Sequence, residues 1–120
     1  MDHPIFGYGP TIWDPAFRIA VGMPFATHAH NQLLQSLSQG GMLSGLSLLA
    51  YLMMLAMGCL RMMRATRGAS LGLLLLVLVR SLTETPLTLT TLFNGEMFTH
   101  LLVAVIAARG LAQPVAGAKR

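Results

Sequence analysis

The strongest constraint on this chain is an uninterrupted apolar run from Gly41 to Leu60. The run contains twenty residues and no charge. As an α-helix rising about 1.5 Å per residue, it is long enough to cross a hydrocarbon core about 30 Å thick. The whole chain is 54% hydrophobic and only 10% charged, whereas soluble domains carry about 25% charged residues. The sequence therefore predicts an integral membrane protein.

Two further apolar segments follow this run. One extends from Ala69 towards Pro86 and becomes polar at Arg80. Because proline lacks an N–H and cannot continue a helix, we expect this helix to kink or end before Pro86. The other segment starts at residue 94 or 95 and runs to about residue 111. We therefore predict an all-α fold with about three transmembrane helices within residues 41–112.

The first forty residues differ from the rest of the chain. Up to about Thr27 they are rich in glycine, proline and aromatic residues, which is typical of a loop with anchors at the membrane interface. The segment Asn31 to Gln39 places leucines on one helical face and predicts a short interfacial helix. Gly40-Gly41 then permits a sharp change of direction. Residues 1–40 are thus predicted to lie outside the bilayer.

The basic residues predict the orientation. They follow the first and third apolar helices and are Arg61, Arg64, Arg67, Arg109, Lys119 and Arg120. Basic segments flanking membrane spans favour the cytoplasmic side, and the predicted outside segments contain only Arg18. We therefore expect residues 113–120 to be a cytoplasmic tail. The net charge of +4 forms no basic stripe interleaved with aromatics, so we expect membrane lipid and not nucleic acid as a partner.

The start of the chain has no basic segment followed by an apolar one, so it is not a signal peptide. An outside loop normally needs a preceding span to cross the bilayer. We therefore expect Met1 to be internal to a longer protein or to begin a truncated gene copy.

A polar segment before the first span carries a family resemblance. It reads Thr27-His28-Ala29-His30-Asn31-Gln32-Leu33-Leu34-Gln35-Ser36-Leu37-Ser38-Gln39-Gly40-Gly41-Met42-Leu43-Ser44-Gly45-Leu46 and follows Gly7-Tyr8-Gly9-Pro10 and Trp13. The His-Asn pair, the leucines and the glycines leading into a span resemble the signature of the O-antigen ligase and exopolysaccharide polymerase superfamily. The resemblance covers this chain but only the last part of the family's length.

The resemblance implies a helical protein of the bacterial inner membrane whose periplasmic loop carries the active site. Family members transfer a glycan from an undecaprenyl diphosphate carrier to an acceptor sugar, such as the lipid A core or a growing polysaccharide. They use no nucleotide sugar and no metal, so no cofactor is expected. The family often has an acidic residue where this chain has Gln39, and its carrier-binding basic residues lie upstream. We therefore expect this C-terminal portion to be inactive alone.

The histidines of this segment are the candidate catalytic residues. His30 is predicted to assist the acceptor hydroxyl because an imidazole can accept its proton, and His28 and Asn31 are predicted to orient it. The alternative is that these side chains only make polar contacts at the interface. A His-x-His pair is also a metal-binding pattern, but a closed site needs more ligands, so no metal is predicted.

Arg80 is a candidate functional residue that does not depend on the family resemblance. It lies about 16 Å along its helix, and a charge near mid-membrane is usually paired and often functional. Glu84 is one helical turn later and is predicted to pair with it. Arg80, Glu84 and Arg18 are predicted to support the diphosphate side of the site. The alternative is a structural salt link between helices.

The rival to this function is a non-enzymatic small membrane protein, a partner subunit or an inactive remnant. A third class is a piece of a transporter with Arg80 and Glu84 on the permeation path, but the sequence has no repeat or paired broken helices to support it. Gly41 and Gly45 form a small-xxx-small pattern that predicts the close approach of another helix.

Overall fold

The computed structural model describes residues 3–87 and 95–113, without the side chains of residues 95 and 96. Within this part of the chain the secondary structure is entirely helical, which confirms the predicted all-α class. After a 3₁₀ turn at Pro10–Trp13, the helices are α1 (Pro15–Ala20), α2 (Gln32–Met62), α3 (Ala69–Thr83) and α4 (Gly95–Ala112). The predicted cytoplasmic tail lies outside the described residues except for Gln113.

Helices α2, α3 and α4 pack against one another as a three-helix bundle. The most deeply buried apolar side chains come from all three helices and are Leu55, Cys59, Leu74, Val77, Val103 and Ala107. Many large apolar side chains point outward instead, including Leu46 and Leu75, each 61% exposed. Such a broad apolar surface is unusual for a soluble monomer, so the bundle presents the kind of surface that lipid covers.

One helix, α2, is long and apolar enough to cross a membrane. The apolar helices Ala69–Thr83 and Met97–Ala112 are shorter. At about 1.5 Å per residue the fifteen residues of α3 measure about 22 Å, less than a hydrocarbon core of about 30 Å. The structure therefore supports membrane association through α2.

Helix α2 changes direction at Gly41, as Gly40-Gly41 predicted. Gly41 has φ 61° and ψ −155°, a conformation that only glycine adopts readily. The break exposes backbone groups that the N-terminal loop satisfies. The N–H groups of Tyr8 and Gly9 donate to the carbonyls of Ser38 and Gln39, at 2.9 and 2.8 Å. On the other side of the break, the N–H of Met42 donates to the Pro4 carbonyl at 2.8 Å.

The small-xxx-small pattern predicted another helix close to Gly41 and Gly45, but the atoms nearest to these glycines belong to the N-terminal loop and to α2 itself. A methyl group on Gly41 would collide with the Ile5 carbonyl, and one on Gly45 would lie 2.7 Å from a Leu37 methyl within α2 itself. The tight contact between helices is instead at Gly58 of α2 and Gly110 of α4, where an added Cβ would overlap the facing backbone. The spacing of small residues thus predicted close contacts but not their partners.

Four of the described arginines lie at one end of the bundle. Arg61, Arg64 and Arg67 lie at the α2–α3 connection, and Arg109 lies in the last turn of α4. Arg61 donates from Nη1 to the Leu111 carbonyl at 3.3 Å, which joins the ends of α2 and α4. The start of α2 and the end of α3 meet at the opposite end, with the polar residues considered next.

Candidate functional site

The predicted catalytic residues and Glu84 come together at the end of the bundle opposite the α2–α3 connection. His28 and His30 lie in the turn before α2, and Asn31 is the residue that caps this helix. Glu84 is the C-terminal cap of α3. The packing of α3 against α2 places these two chain segments side by side, although more than fifty positions separate them in the sequence.

The two histidine rings lie against each other. Their centroids are 3.9 Å apart with an angle of 48° between the planes, and the His30 backbone N–H donates to His28 Nδ1 at 3.2 Å. His30 has a left-handed backbone with φ 48°, a conformation that is uncommon outside glycine. This turn sets the His30 ring beside that of His28 just before α2 begins.

Glu84 brings a carboxylate to the histidine pair. Its Oε2 atom lies 3.7 Å from His30 Nδ1, and the two side chains are 36% and 65% exposed. At this distance the contact is electrostatic and too long for a hydrogen bond. The sequence predicted Arg80 as the partner of Glu84 from helical spacing. The structure reveals His30 as a partner that this reasoning missed, because the two residues are far apart in the sequence. Glu84 itself lies just beyond the helix, with an extended backbone of φ −146° and ψ −179°.

Asn31 ties the start of α2 to the end of α3. Its Oδ1 accepts from the Leu34 N–H at 3.0 Å, the contact of a helix N-cap. Its Nδ2 donates to the Leu82 carbonyl at 3.2 Å. One side chain thus caps α2 and holds the segment that carries Glu84 near the histidines, so Asn31 positions the cluster.

Gln32 and Gln35 support the same arrangement from within. They are 5% and 3% exposed. Gln32 accepts from the Leu87 N–H and Gln35 accepts from the Ala29 N–H, both at 2.9 Å. Sequence reasoning predicted an interfacial helix here from its leucines and missed these roles of the glutamines. The available signal was their spacing of three residues, which places both on one helical face.

An apolar groove of about 390 Å³ lies between α2 and α3 and reaches the site at Asn31. Leucines form most of its walls, and the polar residues that line it, Asn31, Gln32 and Ser81, are buried or half-buried. The lining includes Asn31, Gln32, Leu49, Leu52, Leu78 and Ser81. The groove therefore offers an apolar channel that ends at polar side chains next to the cluster.

The two predicted arginines lie apart from each other. Arg80 is exposed in the last turn of α3, one turn before Glu84. Arg18 lies in α1, which packs against the 3₁₀ turn, and its Nη1 donates to the Pro24 carbonyl at 2.7 Å. The structure thus places Arg80 on the same helix end as the cluster and Arg18 in the N-terminal loop. Their diphosphate roles stay predictions.

The cluster has two chemical capabilities. A carboxylate beside an imidazole stabilises the protonated ring, which helps a histidine to accept a proton from a hydroxyl group. The same three side chains also offer one ligand atom each within 4.8 Å of one another, and imidazole and carboxylate are ligands for divalent metals.

No family model, curated protein or solved structure matches the chain. The resemblance to the O-antigen ligase and polymerase superfamily therefore rests on the sequence segment from Thr27 to Leu46.

Proposed function

We propose that the chain contributes the acceptor site of a membrane glycosyltransferase. In this proposal a glycan moves from an undecaprenyl diphosphate carrier to a hydroxyl of a sugar acceptor, as the resemblance to the ligase and polymerase superfamily implies. The observation that carries the proposal is the contact between His30 and Glu84, 3.7 Å apart beside Asn31.

His30 is the base in this reaction. Glu84 faces Nδ1, which leaves Nε2 to accept the proton of the acceptor hydroxyl. The hydroxyl oxygen attacks the anomeric carbon, the bond from that carbon to the diphosphate oxygen breaks, and undecaprenyl diphosphate leaves. The proton moves to Nε2 of His30, while Glu84 faces the other ring nitrogen. Attack opposite the leaving group inverts the anomeric configuration.

The carrier lipid occupies the groove between α2 and α3. Its leucine walls suit an isoprenoid chain, and its polar end at Asn31 lies next to the histidines. Arg80 lies on the same end of α3 and supplies charge for the departing diphosphate, because guanidinium groups form strong charge-assisted hydrogen bonds to phosphate. Arg18 is assigned to the diphosphate side as well.

The orientation follows from charge. The described arginines between α2 and α3 and at the end of α4 face the cytoplasm, so the cluster faces the periplasm. In the bacterial inner membrane this is the side where lipid-linked glycans are joined to their acceptors in the resembling family. Helices α3 and α4 complete a three-span arrangement with α2, and local thinning of the bilayer compensates for their short length.

Replacing His30 tests the proposal. In a membrane preparation of the native protein, whatever its full length, His30→Ala should reduce glycan transfer by at least a hundredfold, within the range of general-base contributions. Transfer is measured by the shift of labelled glycan from carrier to acceptor. His3→Ala is the matched control, because His3 is also exposed but lies in the N-terminal loop, and it should retain activity.

Normal transfer by the His30→Ala protein, at an unchanged amount in the membrane, would exclude His30 as the base. Loss of activity in both His30→Ala and His3→Ala would point to loop folding instead of chemistry.

The structure also favours a second candidate, a non-enzymatic membrane protein. Asn31, Gln32 and Gln35 each hold a backbone group of a neighbouring segment, so the polar residues before the span have structural uses. In that case substitutions at His30 and Glu84 leave the function unchanged whenever the bundle still folds.

A further inference from the structure

We propose that His28, His30 and Glu84 bind a divalent transition-metal ion, with Zn²⁺ as the best fit. The three residues each offer one ligand atom, and these atoms all lie within 4.8 Å of one another. Two imidazoles and one carboxylate are a ligand set that zinc accepts, and three protein ligands leave a coordination position open for water.

The three ligand atoms need to move only slightly to reach the separations of a zinc site. In a tetrahedral zinc site with bonds of about 2.1 Å, the ligand atoms lie about 3.4 Å apart. His30 Nδ1 and Glu84 Oε2 are already 3.7 Å apart. The 4.8 Å limit on the other pairs leaves at most about 1.4 Å of movement to reach that separation. The side chains of His30 and Glu84 are 65% and 36% exposed, so rotation of their side chains can provide it.

The backbone around the cluster is already held in place. The Asn31 side chain joins the start of α2 to the Leu82 carbonyl at 3.2 Å, and the Gln35 side chain holds the Ala29 N–H between the two histidines at 2.9 Å. A metal ion therefore meets ligands on two chain segments whose separation is set before binding, which lowers the entropy lost on binding.

One hydrogen bond changes on binding. His28 Nδ1 accepts from the His30 N–H at 3.2 Å. If Nδ1 coordinates the ion, its lone pair is no longer available to that N–H, and if Nε2 coordinates, Nδ1 carries the proton. Either way this long hydrogen bond is lost, and the metal–nitrogen bond replaces it.

The charges and donor atoms of the cluster also suit a cation. The Glu84 carboxylate supplies negative charge beside two imidazole rings whose centroids are 3.9 Å apart. A divalent cation pairs with the carboxylate and uses the lone pairs of both rings at once.

Metal binding has a consequence that rests on the proposed function. A zinc ion on His30 occupies the imidazole that would accept the hydroxyl proton, so Zn²⁺ should inhibit glycan transfer. The binding itself needs no catalysis and is tested separately, on the purified protein.

The test is a zinc titration of the full chain in detergent micelles, expressed without a polyhistidine tag. Competition with a chromophoric chelator should show one Zn²⁺ per chain. Glu84→Gln and His28→Ala should each weaken binding at least tenfold, whereas the control His3→Ala should bind like the wild type. Helix content by circular dichroism verifies that each variant is folded.

A wild-type affinity no higher than that of Glu84→Gln and His28→Ala overturns the proposal, as does retention of no zinc. If either variant loses helix content, the visible spectrum of Co²⁺ bound to the wild-type chain decides. Intense absorption from four- or five-coordinate cobalt with nitrogen ligands supports the site, and the weak spectrum of hydrated cobalt overturns it. Zinc binding without inhibition of transfer would contradict the proposed role of His30 as base while leaving the metal site intact.

Discussion

Gly41 shows how a single residue determines the path of the main chain. Its φ of 61° and ψ of −155° lie in a region essentially limited to glycine, and the Ile5 carbonyl occupies the space of a side chain. The sequence predicted a change of direction from the Gly40-Gly41 pair. It did not predict that the N-terminal loop would bind the break, because nothing local to Gly7 or Gly41 identifies the other as its neighbour.

Gly41→Ala should lower the free energy of unfolding by about 1–3 kcal/mol from backbone strain alone, with the collision adding to it. Gly72→Ala is the control, since a methyl group there meets nothing within 4 Å and alanine favours a helix interior by about 1 kcal/mol. Reversible unfolding in mixed micelles provides both values. Equal stability of the two variants would mean that the break at Gly41 is not maintained in the folded protein.

His30 is the second residue with an unusual backbone conformation. A left-handed φ of 48° turns its ring onto His28 and towards Glu84. Sequence spacing places His28 and His30 two residues apart but does not show whether their rings meet. It gave no means of finding Glu84, which reaches the pair through the packing of α3.

At the level of elements, the N-terminus of α2 depends on Asn31 in two ways. Its Oδ1 caps the helix at the Leu34 N–H, and its Nδ2 links the helix to α3 at the Leu82 carbonyl. The sequence predicted a helix starting at Asn31, and the structure confirms it with Asn31 as the cap. The link to α3 could not be predicted, because it depends on how two helices pack.

Replacing Asn31 separates these two contributions. Asn31→Ser should keep the cap, since serine caps helices about as well as asparagine, and should lose only the link to α3, about 1 kcal/mol. Asn31→Ala should lose both contacts, about 2 kcal/mol in all. The measurement is the same unfolding experiment. If the two variants are equally stable, the Leu34 N–H has another partner and the cap contributes nothing.

For the whole molecule, the group of arginines at one end is the main feature. Arg61, Arg64 and Arg67 lie where α2 ends and α3 begins, while the other end carries the histidines, Glu84 and Arg80. The apolar surface between the ends matches an environment of lipid. Together these features support the proposed orientation, in which Arg61, Arg64 and Arg67 face the cytoplasm.

Labelling of single cysteines tests this orientation. The native thiol Cys59 is 0% exposed and is first replaced by alanine. In spheroplasts, a membrane-impermeant maleimide should label Thr27→Cys, in the exposed N-terminal loop, at once. It should label Arg64→Cys, in the exposed connection after α2, only after the membrane is opened. Labelling of Arg64→Cys in intact spheroplasts, with Thr27→Cys protected, would reverse the orientation.

By itself the sequence determined the features that depend on neighbouring residues. Apolar periodicity and length predicted helices close to α2, α3 and α4, Pro86 predicted the end of α3 before it, and the Gly40-Gly41 pair predicted the break. These features follow from local backbone preferences and from the exclusion of apolar side chains from water, both of which can be evaluated over a short window of sequence.

Only the tertiary structure decided which distant residues meet. It brought Glu84 to His30 across more than fifty positions of chain, placed the N-terminal loop on the break at Gly41, and moved the tight helix contact to Gly58 and Gly110. These contacts depend on the packing of whole helices against one another. Packing is a property of three surfaces at once, and no single stretch of sequence specifies it.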